Sequence, residues 1–321
     1  MAEMSQREAY GRALAEYADS NPDLVVLDAD TSSSTFTSFF AARHPGRFFN
    51  VGIAEPCMVD FGVGLALGGF LPFVNAFSAF LALRAIEQVR TCVAYAETNV
   101  KMVGHYAGVS DFKDGPTHNC IVDLGVMRSL PGIVVIVPAD ANEIRNWIPV
   151  IAGHTGPVYF RISRAATLPV HTPDIQPQIG KAIMLREGRD VTIIAAGSMV
   201  GRAMIAAERL SGMNISARVI EMHTIKPLDV EAICRAAGET QAVVTAEEHS
   251  VLGGLGSAVS EVLSEYCPTP LVRVGISDRF TRTSLDPDSL MDAYGMSVED
   301  VVAAVQHVMG KKKDAAKTGI E

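Results

Sequence analysis

Cysteine is scarce in this sequence, and no two cysteines form a recognisable motif. Five cysteines occur among 321 residues, and none of them has a C-x-x-C spacing. An odd set of this kind is typical of free thiols in a reducing compartment rather than of a disulfide framework. We therefore expect a cytoplasmic protein.

Long apolar runs and an excess of basic residues are also missing. No stretch of 18 apolar residues lacks a polar or charged interruption, and the N-terminus has no apolar signal-peptide core. The sequence therefore predicts neither a membrane span nor a secretion signal. Lys and Arg number 27 against 36 Asp and Glu, a net charge of −9, which argues against a nucleic-acid surface.

The remaining composition is that of a globular chain with large cores. Hydrophobic residues make up 48% of the sequence, and the mean hydropathy is +0.22. A chain of this length corresponds to about two domains. Apolar runs typical of strands alternate with helical patterns twice along the chain, including a long helix predicted over residues 77–97. This alternation predicts an α/β protein with two consecutive domains, each a mostly parallel sheet flanked by helices.

A Pro- and Thr-rich stretch interrupts the alternation and marks a domain boundary. The second alternating set begins near residue 190, and the chain ends in a basic stretch, GKKKDAAKTGIE. A solvated terminal stretch of this kind is typical of a frayed tail. The predicted division is domain 1–168, linker 169–187, domain 188–310 and flexible tail 311–321.

The most informative stretch is residues 47–80. It reads as a strand, an acid at the strand's end (Glu55), a glycine-rich helix packed close to the sheet, and a second strand that ends at Phe77 and Phe80. Ligands of open α/β sheets bind outside the carboxyl ends of strands. A lone acid in apolar company is expected to be desolvated and able to share a proton with a basic ring nitrogen.

These residues resemble a known family. GIAEPCMVDFGVGLALGG and NAFSAFLALRAIEQVR are similar to the pyrimidine-binding domain of transketolases, which are thiamine diphosphate enzymes. GRDVTIIAAGSMV and MHTIKPLD resemble the C-terminal domain that transketolases share with the β chains of 2-oxoacid dehydrogenases. The resemblance covers about residues 5–310.

The resemblance implies roles for individual residues on the cofactor side. Glu55 corresponds to the acid that activates thiamine diphosphate by protonating its aminopyrimidine ring. Phe77 corresponds to the ring that stacks on the pyrimidine, and Phe80 is expected to bind the cofactor with it. Asp30 and Thr31 match the acid and the side chain that lie under the bent cofactor.

On the substrate side, Asp114-Gly-Pro-Thr-His118 resembles the DGPTHQ-type loop of transketolases. By resemblance, Asp114 binds a sugar hydroxyl and His118 faces the substrate channel, where we count it as catalytic. Arg7, Ser34 and Arg164 match groups that hold the substrate phosphate, and Arg forks suit phosphate. Tyr106 replaces a His of many transketolases, and His105 cannot substitute because strand residues alternate between faces.

The family's metal-binding half is missing. No GDG motif occurs, and we assign no metal ligand to this chain. The resemblance then implies the C-terminal subunit of a split transketolase, paired with a separate diphosphate-binding N-terminal subunit as α₂β₂. Mg²⁺ or Ca²⁺ would be bound mainly by that partner. We expect the starting Met and the N-terminal helix to mark a separate gene product rather than a truncated one.

The implied activity is the transfer of a two-carbon ketol unit from a ketose or ketose phosphate to an aldose acceptor, a transferase reaction of carbohydrate metabolism. Three alternatives stay open. These are an E1 β subunit of a 2-oxoacid dehydrogenase, a 1-deoxyxylulose-5-phosphate synthase-like enzyme, and a regulatory subunit that has kept only the fold.

Overall fold

Two sheets organise the chain in the computed structural model, which describes residues 4–318. The first sheet has seven strands in the order β10-β5-β6-β4-β3-β1-β2. Its strands are β1 (Leu24–Asp28), β2 (Phe48–Asn50), β3 (Leu71–Phe77), β4 (Lys101–His105), β5 (Val134–Ile136), β6 (Val158–Arg161) and β10 (Thr224–Lys226). All neighbouring pairs are parallel except β10 with β5, so six carboxyl ends lie along one edge.

Helices cover both faces of this sheet. They are α1 (Gln6–Tyr17), α2 (Ser32–Thr35), α3 (Ser38–Arg43), α4 (Glu55–Leu67), α5 (Ile86–Gln88), α6 (Asp123–Ser129) and α7 (Ala141–Gly153). Gly62 of α4 lets that helix approach the sheet, because a Cβ there would lie 2.7 Å from Val74 Cγ1. The close packing predicted from the glycine-rich sequence is therefore present.

The helix predicted over 77–97 begins later and is irregular. Phe77 pairs with His105 as the last residue of β3, so it cannot also start a helix. The helical stretch consists of π-helical turns at Phe80–Arg84 and Val89–Tyr95 on either side of α5. Such turns are frequent at functional sites.

The second sheet has five strands in the order β12-β11-β8-β9-β7. They are β7 (Ile183–Arg186), β8 (Val191–Ala195), β9 (Ala217–Glu221), β11 (Val243–Ser250) and β12 (Leu271–Ile276), and the helices are α8 (Met199–Gly212), α9 (Val230–Thr240), α10 (Leu255–Tyr266), α11 (Pro287–Ala293) and α12 (Val298–Thr318). Strand β7 is antiparallel to β9.

Two segments differ from the predicted division of the chain. Strand β7 lies inside the range 169–187 that was predicted as a linker. Helix α12 continues to Thr318, so most of the predicted tail 311–321 is helical. The prediction placed the end of the helix too early because the apolar pattern in the sequence stops before the helix does. The last part of that tail, residues 319–321, lies outside the described residues. Over the described range, no helix is long and apolar enough to cross a membrane.

Strand β10 crosses from the second half of the chain to the first sheet. Thr224 pairs with Ile136 and Lys226 with Val135. The sequence analysis did not identify this strand, because three residues are too few for a periodic signal.

A buried polar network joins the two halves beside β10. Glu143 accepts a hydrogen bond from Trp147 Nε1 at 2.8 Å, and its Oε1 lies 2.9 Å from His223 Nδ1. The His171 Nε2 atom lies 2.6 Å from Glu221 Oε2. Burial and the Glu143 carboxylate raise the pKa of Glu221 well above its usual range.

Candidate active site

The predicted site residues converge on the carboxyl edge of the first sheet. Glu55 follows β2, Phe77 ends β3, Tyr106 follows β4 and Arg164 follows β6. These strands run in parallel, and this edge is where open α/β sheets bind ligands.

Glu55 is buried but not alone. Its side chain is 1% exposed, and Arg84 Nη1 donates to Oε1 at 3.0 Å and to Oε2 at 2.8 Å. The expectation of a lone acid in apolar company was therefore wrong. The partner comes from the π-helical turn after β3, whose irregular geometry a sequence pattern does not reveal. The Arg84 side chain is 46% exposed, so the cation of this ion pair is open to solvent.

Phe80 lies under the same guanidinium. The Arg84 Cζ atom is 4.2 Å from the centre of the Phe80 ring, the arrangement of a cation–π contact. A planar cation is thus hydrogen-bonded to a buried carboxylate and stacked on an aromatic ring. Glu55 and Phe80 together are suited to a flat, basic heterocycle of similar size.

Phe77 has a different environment. Its ring stacks on Tyr106 with centroids 4.2 Å apart and an interplanar angle of 27°. His118 meets Phe80 edge-on at 5.1 Å and Phe77 at 6.0 Å. One face of Phe77 is therefore covered by Tyr106. Phe80 instead contacts Arg84, the ion-pair partner of Glu55.

Asp30 and Thr31 follow β1, where a neighbouring acid missed by the sequence analysis organises the turn. Asp28 is fully buried and accepts hydrogen bonds from the hydroxyls of Thr31, Thr35 and Thr37 at 3.1, 3.0 and 2.8 Å. Burial raises the pKa of Asp28. The Thr31 hydroxyl thus points to Asp28, and the exposed Asp30 accepts from Asn50 Nδ2 at 3.0 Å. In the sequence, the threonines that closely follow Asp28 were the signal from which this buried acid could have been identified.

Arg7 lies in contact with Ser34, Tyr106 and Arg164. Arg7 Nη1 donates to the Tyr106 hydroxyl at 2.9 Å and to the Ser34 carbonyl oxygen, and Arg7 Nε donates to the Arg164 carbonyl oxygen at 3.0 Å. The buried His105 lies 3.1 Å from Asn75 Oδ1 through Nε2, and the adjacent Tyr106 is the residue that contacts Arg7.

Asp114 and His118 belong to the loop between β4 and α6. Asp114 is exposed and His118 is partly buried. The Thr117 hydroxyl lies 2.9 Å from His118 Nδ1. Through its ring contacts with Phe77 and Phe80, His118 links this loop to the aromatic side chains beside Arg84.

Comparison with known proteins decides the family. Residues 2–169 match the transketolase pyrimidine binding domain, and residues 180–301 match the transketolase C-terminal domain. The chain belongs to the transketolase family. The resemblance inferred from the sequence, to the C-terminal subunit of a two-chain transketolase, is confirmed, and so is the two-domain α/β fold.

Relatives of transketolase type align over nearly the whole chain. The 6-deoxy-6-sulfo-D-fructose transketolase subunit SqwH of Clostridium sp. (strain MSTE9) is 43% identical over 95% of each chain. One of the subunits of the apulose-4-phosphate transketolase of Phocaeicola vulgatus is 40% identical over 85% of this chain and 87% of its own. A solved split gene transketolase, described as an inactive beta4 tetramer, superposes with a TM-score of 0.90 at 47% identity, over 96% of this chain and 99% of that one.

The C-terminal transketolase domain also shapes the site. Glu248 of β11 is buried, and its Oε1 accepts from the Val109 N–H at 2.7 Å. Its Oε2 accepts from the Ser198 hydroxyl. Glu248 therefore anchors the start of the loop that carries Asp114 and His118. The sequence analysis assigned no site residue to the second domain and missed this contact.

Gly108 is required where Glu248 meets this transketolase loop. Its φ is +63°, and a Cβ there would lie 2.4 Å from Glu248 Oε1. We expect Gly108→Ala to lower the free energy of unfolding by more than the ~1–3 kcal/mol typical of a strained backbone alone, and to lower activity by displacing the loop. Chemical denaturation and turnover of the assembled enzyme measure both effects.

Gly295→Ala is the matched control for that substitution. Gly295 also has a positive φ, +78°, and a Cβ there would meet no described atom within 4 Å. Gly295→Ala therefore introduces the strain of a positive φ without a clash like that between Gly108→Ala and Glu248. Equal losses of stability in the two variants, with activity kept in both, would contradict the role given to Glu248.

Proposed function

We propose that this chain binds the pyrimidine half of thiamine diphosphate and acts, with a diphosphate-binding partner chain, as a transketolase on ketose donors and aldose acceptors. The observation that carries the proposal is the buried Glu55 carboxylate holding a planar cation against the Phe80 ring. A protonated aminopyrimidine has the same requirements, a carboxylate at its edge and an aromatic platform.

The residues at the sheet edge fit that cofactor. Glu55 would hold and exchange the ring proton, Phe80 and Phe77 would line the ring, and Asp30 with Thr31 would flank it. Bound thiamine diphosphate would supply the nucleophilic carbon that accepts the two-carbon unit. Arg84 has to leave Glu55 for this, and its half-exposed side chain can turn into solvent.

The substrate side follows from the loop between β4 and α6 and from the arginines. Asp114 would orient a sugar hydroxyl, and His118, next to Phe80, would exchange protons with the reacting carbonyl and hydroxyl groups. Arg7, Ser34, Tyr106 and Arg164 would form the far end of the channel. The relatives named for 6-deoxy-6-sulfo-D-fructose and apulose-4-phosphate support a ketose as donor.

A partner chain is supported by the surface beside the site. Exposed apolar side chains are concentrated on α4 with the residues before it and on the π-helical turns packed against it: Ile53, Phe61, Leu67, Leu83 and Tyr95. Exposed apolar patches mark interaction sites. The related split chain described as an inactive beta4 tetramer supports the need for a second subunit. We infer an α₂β₂ assembly in which the partner binds the diphosphate and Mg²⁺ or Ca²⁺.

The sequence has five cysteines and no C-x-x-C spacing, which supports a reducing, cytoplasmic compartment. Carbohydrate metabolism is the setting that a ketol transfer implies.

Reconstitution tests the proposed function. The chain is titrated calorimetrically with thiamine diphosphate and Mg²⁺, alone and with the partner chain, and the complex is screened with ketose donors and aldose acceptors. We expect tight cofactor binding and ketol transfer only with the partner present. Decarboxylation of pyruvate with a lipoyl acceptor, or no cofactor binding in the complex, would contradict the proposal.

A further inference from the structure

The far end of the proposed substrate channel contains two adjacent cations around one aromatic ring. The Cζ atoms of Arg7 and Arg164 lie 5.0 and 5.3 Å from the centre of the Tyr106 ring. Arg164 also contacts Phe112, at 5.3 Å. Two guanidinium groups in such a place would ordinarily indicate an anion site.

An acid in the loop between β4 and α6 argues against an anion site here. Asp111 is fully buried, and its Oδ1 lies 3.3 Å from Arg164 Nη1. Within residues 4–318, neither Asp111 oxygen has a well-aligned hydrogen-bond donor, and Arg164 Nε has no acceptor. Burial, together with the neighbouring Asp114, raises the pKa of Asp111 to about 6. Asp111 therefore faces Arg164 as its counterion, with the Asp114 carboxyl as its neighbouring acid.

Three of the five N–H donors of Arg7 are also engaged. Nε donates to the Arg164 carbonyl, and Nη1 donates to the Ser34 carbonyl and the Tyr106 hydroxyl. Ser34 thus faces Arg7 with an acceptor rather than a donor. A phosphate needs free donors and carries up to about two negative charges. At this position it would find three of the five Arg7 N–H groups engaged and a buried carboxylate of its own sign.

We propose that Asp111 is a specificity-determining residue, which neutralises Arg164 and makes this end of the channel select sugars whose far end is an uncharged hydroxyl rather than a phosphate. This inference rests on the proposed transketolase function. Like charges close together in a partly desolvated site disfavour each other, whereas a hydroxyl can donate to a carboxylate and accept from a guanidinium.

Matched donors test the inference in the reconstituted holoenzyme. They are xylulose against xylulose 5-phosphate and fructose against fructose 6-phosphate, with glycolaldehyde as acceptor. We expect wild type to have the higher kcat/KM with the unphosphorylated member of each pair. Asp111→Asn should raise kcat/KM for the phosphorylated donors by about tenfold, equivalent to one pKa unit of charge interaction. Its kcat/KM for the unphosphorylated donors should not rise and should fall if the far hydroxyl loses its carboxylate acceptor, so the ratio between the two donor classes shifts by about tenfold or more.

Asp111→Leu is the second variant, in case the amide disturbs the loop, and Asp174→Asn is the control. Asp174 is an exposed acid between the two domains, so its loss changes net charge without touching Arg164. A wild-type preference for phosphorylated donors, or an equal change in both donor classes on replacing Asp111, would overturn the inference while the transketolase function stands. No ketol transfer from any donor would contradict that function itself, and the inference with it.

Discussion

Replacing Glu55 with Gln is expected to lower kcat of the reconstituted holoenzyme by about 10²–10⁴-fold, the range typical of a positioned acid–base group. Glutamine keeps the size of the side chain but cannot hold or release the ring proton of a bound heterocycle. Glu55→Ala is expected to be at least as damaging. Steady-state ketol transfer measures the loss, and calorimetric titration shows whether the cofactor still binds.

The fold should survive this substitution. Arg84 is 46% exposed, so it can be hydrated when its acid is removed, and the unfolding transition should move little. Glu261→Gln is the control, because Glu261 is an exposed acid paired with Arg128 in a similar way but far along the chain. Near-normal turnover of Glu55→Gln would refute the role of this residue.

Replacing Asp123 with Ala is expected to lower the free energy of unfolding by about 3–5 kcal/mol, because it leaves a buried cation without its partner. Asp123 is fully buried, and Arg161, 5% exposed, donates to it from Nε at 2.7 Å. The Tyr159 hydroxyl also donates to Asp123, at 2.8 Å. Denaturant unfolding measures the loss.

An exposed pair provides the comparison. Asp19 pairs with Arg43, and their side chains are 43% and 50% exposed. Asp19→Ala should therefore cost only about 1 kcal/mol or less. If Asp123→Ala were as mild as Asp19→Ala, Arg161 would have to be stabilised by something other than its acid. Its donation to the Glu248 carbonyl at 3.0 Å would then be the candidate.

The fold could be predicted from the sequence because its signals are local and repeated. Apolar runs such as Leu24–Asp28 and Val191–Ala195 are buried along their whole length, as parallel strands covered on both faces should be. The positions of Phe77 and Tyr106 followed, because they come at the end of or directly after buried strands. Glu55 begins α4, five residues after β2.

What the sequence did not reveal depends on contacts between distant or irregular segments. Arg84 reaches Glu55 across 29 positions through a π-helical turn, which has no hydrophobic periodicity of its own. Glu248 reaches Val109 across 139 positions, from the other domain. Asp111 looked like an ordinary loop acid, and only its burial against Arg164 distinguishes it. Side-chain pairing of this kind is set by tertiary structure rather than by local pattern.

The crossing strand β10 has a mechanical consequence. Glu221 ends β9 in one sheet and Thr224 begins β10 in the other, so two residues connect the sheets. A rotation of one half against the other would break the pairing of β10 with β5, so the two halves cannot separate in that way. The two halves should therefore melt as one cooperative unit.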